Sequence, residues 1–557
     1  MAGNSKNAIS PLKRFYKSLE LESRAVYLIL GYAAFAGLVS LTLPLGIQAI
    51  INFVQAGQFR VTMIVLVSLI LLGVIFTGLL NYMQMRIAED LQQRIYTRSS
   101  FELMFRFPKI LTTEFGKNYP PELANRFFDT MTIQKGIPKL IIDFSTAGLQ
   151  ILFGLVLLSF YHPFFILFGI FLIVLLYVVF QFSAPIGLQT NLVQSKYKYE
   201  TAHWIEEIAR NVDSFKVSGS SKLASKKHDD IVIKYLNARE DHFKILRLQY
   251  FKMIGFKVLV TASLLIIGGL LVINQQMNIG QFVAAEVVVL LMVSSVEKLI
   301  KGLENAYDVL TGLEKIGHVM DLEVEESDGL EPFDSDTVFN IELKNLGLTY
   351  GKSKKKTLHN ISLNVGPKER IFIDGSSGSG KTSLLKVFAG LILPTEGAYY
   401  INDIQLKNIQ LDHFRTFVGH SFIGNFPFEG TIIENITFGN PTVSQEDFDW
   451  AIDNLNLREF IKNQPEGIHT KIATGGRDIP YTVSKKIMLA RAIITKPKLL
   501  VLKDPLVEFQ DEEINQIMDF LFDKSNPWAI LVVSRNSQWI PRCDRKIYLS
   551  EGSIVNN

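Results

Sequence analysis

Long apolar stretches alternate with polar, basic connections over the first 300 residues of the chain. Six stretches are long and apolar enough to cross a bilayer as helices, namely 25–54, 61–83, 144–161, 163–184, 258–273 and 279–296. The third and fourth are separated only by His162 and Pro163 in a run without formal charge, which predicts two helices joined by a tight turn. The pattern therefore predicts a six-span membrane domain over residues 25–310.

The connections between these stretches differ sharply in length and charge. Those at 55–60, His162 and 274–278 are short, whereas 84–143 and 185–257 are long and rich in lysine and arginine. A basic excess near helix ends marks the cytoplasmic side of a membrane. We therefore expect residues 1–24, both long connections and the C-terminal half to be cytoplasmic, and the short turns to face outward.

Both long connections keep apolar residues at helical spacing beyond the membrane, as at Ile95, Leu103 and Phe107. The spans are therefore expected to continue as helices into the cytoplasm. Each resulting hairpin needs a tip, and the two prolines within 118–129 and the segment 204–219 are the candidates. The first apolar run is too long for a signal peptide, so we expect it to be retained as a helix.

Composition supports a membrane protein with one soluble domain. Hydrophobic residues make up 48% of the 557 positions, charged residues 20%, and the mean hydropathy is +0.21, so lipid is the expected solvent for much of the chain. The net charge of +3 gives no argument for a nucleic-acid partner, and we expect none. Cys543 is the only cysteine, so no intrachain disulfide can form.

The last part of the chain has the pattern of a soluble α/β domain. Residues 311–336 include an acidic, breaker-rich stretch that suits an exposed linker. From 337 to 557, strand-like runs such as "RIFID", "KLLVL" and "AILVVS" alternate with helical segments. That alternation predicts a mostly parallel sheet.

Residues 375–382, "GSSGSGKT", match the G-x-x-x-x-G-K-[ST] pattern of a phosphate-binding loop, after a strand-like run and before a helix-like one. Glycines let consecutive backbone N–H groups curl around phosphate oxygens, and the helix N-terminus adds a favourable dipole. We expect Lys381 to reach the β- and γ-phosphates and Thr382 to offer its hydroxyl to Mg²⁺. The predicted binding residues are Gly375, Ser376, Ser377, Gly378, Ser379, Gly380, Lys381, Thr382 and Ser383. The expected fold class is an α-helical six-span domain joined to an α/β P-loop nucleotide-binding domain.

A phosphate-binding loop behind six spans with two long hairpins resembles the ABC exporters with a type I membrane domain, over nearly the whole chain. Tyr350 stands where that family places the aromatic residue that stacks on adenine. "FPFEGTIIENITFG" is similar to the segment after its glutamine loop, and "DRKIYLSEGSIV" to its final hairpin. The first span and the proline-rich first hairpin are most similar to transporters of type I protein secretion. The resemblance implies ATP as ligand, a dimer, and, for secretion, a periplasmic adaptor.

The chain departs from that family at the end of the second acidic strand. Family members place there an Asp that binds Mg²⁺ and a Glu that polarises the attacking water, whereas this chain has Lys503 and Asp504 in "LLVLKDP". A lysine ammonium cannot ligate Mg²⁺ and repels it. Asp504 is the remaining catalytic candidate, and it is one methylene shorter than the expected base. Metal binding would then rest on Thr382, and normal Mg²⁺ binding is not expected.

Three further catalytic elements differ from the family. The "LSGGQ" signature aligns with "IPYTV", where Pro480 lacks an N–H and Tyr481 and Thr482 replace glycines. The switch histidine aligns with Arg535, and the glutamine of the glutamine loop aligns with His420 or has no counterpart. In this family each ATP lies between one subunit's phosphate loop and the other's signature. A normal partner subunit would therefore complete neither composite site.

We therefore expect an exporter subunit in a bacterial inner (plasma) membrane that binds ATP through Tyr350 and the phosphate loop, with Lys503 as a fixed cation in place of Mg²⁺. It would hydrolyse ATP poorly and pair with a second half-transporter, identical or different. A rival interpretation is a non-transporting regulatory subunit that uses ATP as a structural or switching ligand, and a third is an exporter powered mainly by its partner. Membrane lipids are the remaining expected partners.

Glu286 lies within the sixth predicted span. An ionisable side chain is costly there unless it faces water or a partner, so Glu286 is the candidate for the substrate path. The alternative is that it faces an aqueous cavity or reaches the interface without binding anything specific.

Overall fold

The computed structural model describes residues 9–57, 61–116, 118–219, 221–326, 328–351 and 355–555. The chain divides into two units. One, here termed the membrane unit, comprises Met1–Pro108 and Tyr119–Leu322, and the other, termed the α/β unit, comprises Lys109–Asn118 and Glu323–Asn557.

Helices build the membrane unit. In its described part they are α1 (Pro11–Leu21), α2 (Ser23–Ser40), α3 (Thr42–Gln55), α4 (Val61–Arg106), α5 (Pro120–Asn125), α6 (Asp129–Tyr161), α7 (Phe164–Arg210), α8 (Val212–Val217), α9 (Leu223–Ser263), α10 (Gly269–Ile273) and α11 (Ile279–Met320). A π-helical turn over Leu264–Gly268 joins α9 to α10. Such a helical design satisfies every backbone amide internally, which lipid requires.

The predicted spans fall on apolar helices. Five helical stretches are long and apolar enough to cross a membrane, namely Ser23–Gln55, Val61–Lys109, Pro120–Tyr161, Leu223–Ile273 and Ile279–Met320. A shorter apolar helix covers Phe164–Val174, and the fourth predicted span, 163–184, begins there and continues along α7. Pro44 sits in the first turn of α3, where its missing N–H is tolerated.

Several helices run far beyond the length of a bilayer. α4, α7 and α9 have 46, 47 and 41 residues, whereas a span needs about 20. The predicted continuation of the spans is therefore confirmed. The short helices α5 and α8 fall within the two segments, 118–129 and 204–219, expected to form the hairpin tips.

Helices α6 and α11 pack closely along much of their length. A Cβ atom added at Gly136 of α6 would collide with the side chain of Val309, and one added at Gly312 of α11 would lie 3.1 Å from Ile133 Cγ1. Small residues at such crossings allow backbones to approach. α11 continues to Met320, so residues 311–320, assigned above to the linker, are helical because Leu313, Ile316 and Val319 extend the buried apolar spacing.

The α/β unit contains two sheets and surrounding helices. In its described part the elements are β1 (Ile341–Leu348), β2 (Leu358–Val365), β3 (Arg370–Gly375), α12 (Lys381–Phe388), β4 (Glu396–Ile401), β5 (Ile404–Gln405), α13 (Leu411–Thr416), β6 (Val418–Ser421), β7 (Gly430–Thr431), α14 (Ile432–Thr437), α15 (Gln445–Asn454), α16 (Arg458–Lys462), β8 (Lys471–Ile472), α17 (Tyr481–Ile493), β9 (Leu499–Lys503), α18 (Asp511–Leu521), β10 (Ala529–Val533), β11 (Arg545–Ser550) and β12 (Ser553–Val555).

The larger sheet has the strand order β12–β11–β3–β10–β9–β6. All of its neighbouring pairs are parallel except β11 with β12, so the predicted mostly parallel sheet is confirmed. β10 lies between β3 and β9, with Val532 opposite Phe372 and Leu502. Carboxyl ends of β3, β9 and β10 therefore meet at one edge, where α/β sheets bind ligands.

A second, antiparallel sheet of order β2–β1–β4–β5 was not predicted from the sequence. Its buried residues and those of the larger sheet share one core with α12, whose Leu384, Leu385 and Phe388 are fully buried. This packing fixes α12, and with it the loop that precedes the helix.

Candidate nucleotide-binding site

Residues 375–380 form the turn between β3 and α12. Gly375, Gly378 and Gly380 have φ angles of +144°, +81° and +100°, a region that glycine occupies without steric cost. A Cβ on Gly375 would also collide with the carbonyl oxygen of Leu549 on β11. The loop thus has the backbone conformation that a phosphate-binding loop requires, and the N-terminus of α12 follows it directly.

The loop lines a cavity of about 570 Å³ at the sheet edge where β3, β9 and β10 end. Every predicted loop residue from Gly375 to Ser383 lines it except Ser376. Lys503, Asp504 and Arg535 line the same cavity. The structure therefore brings the phosphate-binding loop together with three of the positions at which the sequence departs from its family.

The ammonium group of Lys381 lies over the loop. Its Nζ donates hydrogen bonds to the carbonyl oxygens of Gly375 and Ser376, at 2.5 and 2.8 Å. Burial lowers the pKa of Lys381, the carboxylate of Asp374 raises it, and the nearby Lys503 lowers it further. Two lysine ammonium groups thus share one cavity, which favours a polyanionic ligand.

Asp374 and Lys546 form an ion pair beside the loop that the sequence did not indicate. Lys546 Nζ lies 2.8 Å from Asp374 Oδ2, and this hydrogen-bonded pair holds the pKa of Asp374 below its usual value. The other carboxylate oxygen accepts a hydrogen bond from the Gly375 amide at 2.7 Å. Asp374 is therefore engaged in stabilising the loop. The one feature of the sequence that could have indicated this role is the position of Asp374 near the end of β3, just before the glycine motif.

Lys503, the last residue of β9, reaches the first turn of α12. Its Nζ donates a hydrogen bond to Thr382 Oγ1 at 2.7 Å. Thr382 carries the hydroxyl that a phosphate-binding loop offers to Mg²⁺. A charged lysine has three donors and no lone pair, so it cannot coordinate a metal. The ammonium group of Lys503 is therefore hydrogen-bonded to the hydroxyl that would otherwise coordinate Mg²⁺.

Asp504 follows Lys503 in a left-handed backbone conformation, with φ of +45°. Its amide donates to the carbonyl of Val533 at 2.8 Å, and its Oδ1 accepts from the Arg535 amide at 2.9 Å. Only 6% of the residue is exposed. A positive φ is uncommon for a non-glycine residue and gave no signal in the sequence. One carboxylate oxygen of the predicted catalytic residue is thus committed to the backbone after β10.

These residues do not fit a magnesium site. Mg²⁺ prefers octahedral oxygen ligands that include one or two carboxylates. Of the carboxylates that line the cavity, Asp374 is paired with Lys546, and Asp504 bonds a backbone amide. In the part of the chain that the structure describes, no group of three or more His, Cys, Asp and Glu side chains could hold a metal ion.

Arg535, predicted at the switch-histidine position, contacts Asp504 through its backbone rather than its guanidinium. Ser534, the first residue after β10, lines the cavity as well and was missed. Its Oγ accepts a hydrogen bond from the Asn536 amide at 3.1 Å. Ser534 could have been predicted from the sequence, because a hydroxyl directly after a buried parallel strand lies at the sheet edge where ligands bind.

Tyr350 contacts α12 and does not line the cavity. Its hydroxyl donates to Ser383 Oγ at 3.0 Å, and its ring packs at the edge of the core shared by the two sheets. The structure thus joins two predicted nucleotide-binding residues by a hydrogen bond. Stacking of the ring on an adenine stays a prediction.

The segment aligned with the signature forms the N-terminus of α17. Pro480 precedes the helix with φ of −56° and ψ of +143°, and no side chain caps this end. Tyr481 and Thr482 occupy the first two helical positions. None of these three residues lines the cavity at the phosphate-binding loop of the same chain.

An aromatic and cationic cluster surrounds Tyr481. The rings of Tyr481 and Phe426 meet edge to face at 6.4 Å, and the Lys485 ammonium lies 5.2 and 4.7 Å from their centroids. Lys485 is only 1% exposed and donates to the carbonyl of Asn425 at 3.2 Å. Burial lowers the pKa of Lys485. The glycines of a glycine-rich signature have no side chains and leave its surface open, whereas this cluster places large side chains at the start of α17.

His420 lies inside β6 rather than in the loop after it. Its ring stacks on Phe422 with centroids 5.2 Å apart, and Nδ1 is buried without a hydrogen-bond partner among the described residues. Burial, with Arg491 and Arg415 adding to it, lowers the pKa of His420 to about 4. The side chain of His420 thus packs on the core from within a strand, and its alignment with the family's glutamine stays a prediction.

Glu286 lies on α11 of the membrane unit and is partly exposed, next to fully buried Ala285. It lines neither the nucleotide cavity nor a cavity of the membrane unit that Gln84 and Gln150 line. Its role on a substrate path stays a prediction.

A helical membrane unit and a P-loop site on a parallel sheet define the class of this protein. The family model for the ABC transporter transmembrane region matches residues 26–296, and the ABC transporter model matches residues 358–507. The chain belongs to the ABC transporter family.

Individual relatives are similar over different parts of the chain. The transport/processing ATP-binding protein ComA of Streptococcus pneumoniae is 23% identical over 91% of this chain and 71% of its own length. The ATP-dependent lipid A-core flippase of Bordetella avium is 27% identical over 39% of this chain. The α-hemolysin translocation ATP-binding protein HlyB of Escherichia coli is 26% identical over 52% of it. The matched regions span only 37% and 40% of the lengths of the last two relatives.

A solved structure shares the fold over nearly the whole chain. The structure of a bacterial Atm1-family ABC exporter with ATP bound superimposes with a TM-score of 0.81 and covers 96% of this chain and 94% of that one. The two sequences are 16% identical, so the likeness concerns the fold alone.

Proposed function

We propose that this chain is one subunit of an ABC exporter that binds ATP without a divalent cation and hydrolyses it poorly. Its membership of the ABC transporter family supports a transport role, as do relatives whose names describe transport and translocation. The intact phosphate-binding loop supports nucleotide binding, because its glycine conformations and Lys381 are in place.

The hydrogen bond from Lys503 to Thr382 carries the proposal. It puts a fixed positive charge 2.7 Å from the hydroxyl that would otherwise bind Mg²⁺. The charge of a lysine can offset phosphate charge. It cannot coordinate and orient the attacking water or the leaving group, as a metal ion does. Binding is thereby separated from hydrolysis at this site.

The direct test is ATP hydrolysis by the purified chain in lipid with Mg²⁺. We expect turnover at the background level, equal in the wild-type chain and in Lys381→Ala. Mg²⁺-dependent turnover at rates ordinary for exporters, abolished by Lys381→Ala, would refute the proposal. Nucleotide binding by the wild-type sample shows that this protein is folded.

A second subunit is expected, because one chain contributes six predicted spans and one phosphate-binding loop. The partner can be a second copy or a different half-transporter. Pro480 and Tyr481 at the start of α17 argue that this chain supplies a poor signature to either kind of partner, since one lacks an N–H and the other adds bulk. Purification from the native membrane, followed by identification of what accompanies the chain, distinguishes a homodimer from a heterodimer and shows whether a periplasmic adaptor is present.

A regulatory, non-transporting role is the second candidate. The same loss of catalytic groups favours it, since a nucleotide that is bound and not cleaved serves as a structural or switching ligand. Vesicle efflux that requires this chain, alone or with a partner, would support the exporter. Its absence with a correctly inserted complex would support the regulator.

For the exporter we place the protein in a bacterial inner membrane, with the α/β unit in the cytoplasm, because the long connections are basic. Glu286 is a proposed part of the substrate path, since an ionisable group within a span is costly without a function. Unchanged efflux by Glu286→Gln would remove that assignment.

A further inference from the structure

The membrane unit contains a cavity of about 680 Å³, lined mostly by polar and charged residues, that the nucleotide chemistry does not use. Residues of α2, α4, α6 and α11 line it. It extends from Thr77 and Gln150, inside predicted spans, to Arg86 and Lys135, which lie in the stretches that continue into the first hairpin. The cavity thus crosses from the apolar part of the helices to their polar extension, where a molecule could enter from the membrane surface.

Two side chains in this cavity hold unused hydrogen-bonding groups. Gln84 is only 2% exposed, and its Nε2 has no hydrogen-bond partner among the described residues. The buried Oγ1 of Thr146 likewise lacks one within the described part of the chain. A buried polar group left unpaired costs free energy. Both groups can donate, and a rotation of either side chain toward the cavity would let a ligand with acceptor oxygens recover that cost.

A third side chain, the second amide of this set, is arranged as a donor. Gln150 lines the cavity, and its Oε1 already accepts a hydrogen bond from Ser295 Oγ at 2.7 Å. Its N–H₂ group is therefore the end that remains for a ligand. Three side chains with donor groups, from α4 and α6, therefore line one cavity.

The charges around the cavity are mostly positive. Four cations line it, Arg86, Lys135, Lys139 and Lys298, against two carboxylates, Glu89 and Asp143. Arg86 is engaged by Asp90 at 3.2 Å. Lys139 and Lys298 both interact electrostatically with one carboxylate, that of Asp143. Two positive charges thus face one negative charge between α6 and α11.

We propose that this cavity binds an anionic, acceptor-rich group, a phosphate or a comparable oxyanion, of the molecule that the exporter handles. Lys139 and Lys298 supply the charge, and Gln84, Thr146 and Gln150 supply hydrogen-bond donors. The assignment rests on the proposed transport function, since it names the chemistry of the cargo. The anion can belong to a lipid headgroup or to a soluble solute, and the two sources share the same recognition.

The experiment uses the full chain in phosphatidylcholine nanodiscs without nucleotide. In one arm, graded phosphatidylglycerol is added and the retained anionic lipid is counted by native mass spectrometry. In the other arm, radiolabelled glycerol 3-phosphate is titrated in equilibrium dialysis. Saturable binding in the first arm identifies a headgroup, and in the second a soluble anion.

The variants test the named residues. The double variant Lys139→Gln, Lys298→Gln is expected to lose at least fivefold in affinity, and Gln84→Glu, which keeps the volume but adds a negative charge, is expected to do the same. Lys301→Gln is the matched control on α11, because Lys301 pairs with Glu297 and does not line the cavity. Its affinity should stay within twofold of wild type.

No saturable binding in either arm overturns the assignment, as does equal loss in the control or unchanged binding by Gln84→Glu. If the double variant does not fold, the comparison of affinity between Gln84→Glu and Lys301→Gln is sufficient to test the assignment. Nucleotide is absent from both arms. If the ATP assays refute the metal-free nucleotide site, the result for this cavity is therefore unaffected, and a negative result here does not affect the ATP assays.

Discussion

Lys503 Nζ and Thr382 Oγ1 are joined by a 2.7 Å hydrogen bond between residues 121 positions apart in the sequence. One lies at the end of a buried strand and the other in the first turn of α12, so both ends of the bond are held by the core. A cation fixed in this way is part of the protein and is present at any concentration of divalent metal. The nucleotide site is therefore expected to behave differently from metal-dependent ATPases in the following respects.

Lys381→Ala should abolish most nucleotide binding. Charge-assisted hydrogen bonds contribute about 1.5–3 kcal/mol each, so we expect a loss of at least tenfold in ATP affinity, measured with a fluorescent nucleotide in EDTA. Lys386→Ala, on the same helix but outside the cavity, is the control and should bind as wild type. Equal affinity of Lys381→Ala and wild type would show that the loop does not hold the phosphates.

Tyr350 should contribute through its ring more than through its hydroxyl. Stacking of an aromatic ring on a base contributes about 1–3 kcal/mol, so Tyr350→Ala should weaken ATP binding by roughly 5- to 100-fold. Tyr350→Phe removes only the hydrogen bond to Ser383 and should stay within about threefold of wild type. Equal losses in both variants would mean that the hydrogen bond to Ser383, rather than stacking, is what matters.

His420 should make the α/β unit sensitive to acid. Its pKa is about 4 in the folded chain and 6.5 as the ordinary value, so the unfolded chain binds more protons between these pH values. Stability should therefore fall as the pH drops from 6.5 towards 4, by on the order of 1–3 kcal/mol for this group. Thermal unfolding followed by tryptophan fluorescence reports mainly on this unit, because three of the chain's four tryptophans, Trp450, Trp528 and Trp539, lie in it.

The matched variant for this pH effect is His420→Phe. It keeps an aromatic ring against Phe422 and cannot titrate. We expect its unfolding midpoint to change less between pH 7 and pH 4.5 than that of wild type. The same pH dependence in both chains would exclude His420 as the source.

Gly136→Ala should destabilise the contact between α6 and α11. The new Cβ would meet the Val309 side chain, and overpacking of this kind typically costs about 1–3 kcal/mol. Gly148→Ala, on the same helix, is the control, because nothing lies within 4 Å of the added atom. A lower unfolding temperature for Gly136→Ala alone is the expected result, and equal temperatures for both would argue against the close crossing.

The features that could be predicted from the sequence are those that contiguous residues determine. The apolar spans and the phosphate-binding loop each lie in one stretch, and lipid and phosphate impose strict requirements on such stretches. Lys503 could be assigned beside the loop only through the resemblance to a family, since nothing local links it to Thr382. The antiparallel sheet was missed because the pairing of β1 with β4 joins residues far apart in the chain, such as Ile341 and Ile401.

Other parts of the site depend on tertiary packing and left no local signal. The left-handed backbone of Asp504 exists because its amide and carboxylate both bond residues after β10. The bond between Tyr350 and Ser383 and the burial of Lys485 likewise follow from the assembled core. His420 was aligned with the glutamine-loop position, with no counterpart as the alternative, because the end of a four-residue strand cannot be located from sequence alone.

ATP affinity measured in EDTA and again in excess Mg²⁺, for wild type and for Lys503→Asp, tests the central claim most directly. The variant replaces the ammonium group with a shorter carboxylate, which leaves room for a metal ion between it and the Thr382 hydroxyl, and should bind ATP better with Mg²⁺ than without it. Wild type should bind at least as tightly in EDTA as in Mg²⁺. Wild-type binding tenfold or more tighter with Mg²⁺ would contradict the account, because it would mean that a metal ion, and not Lys503, meets the phosphates.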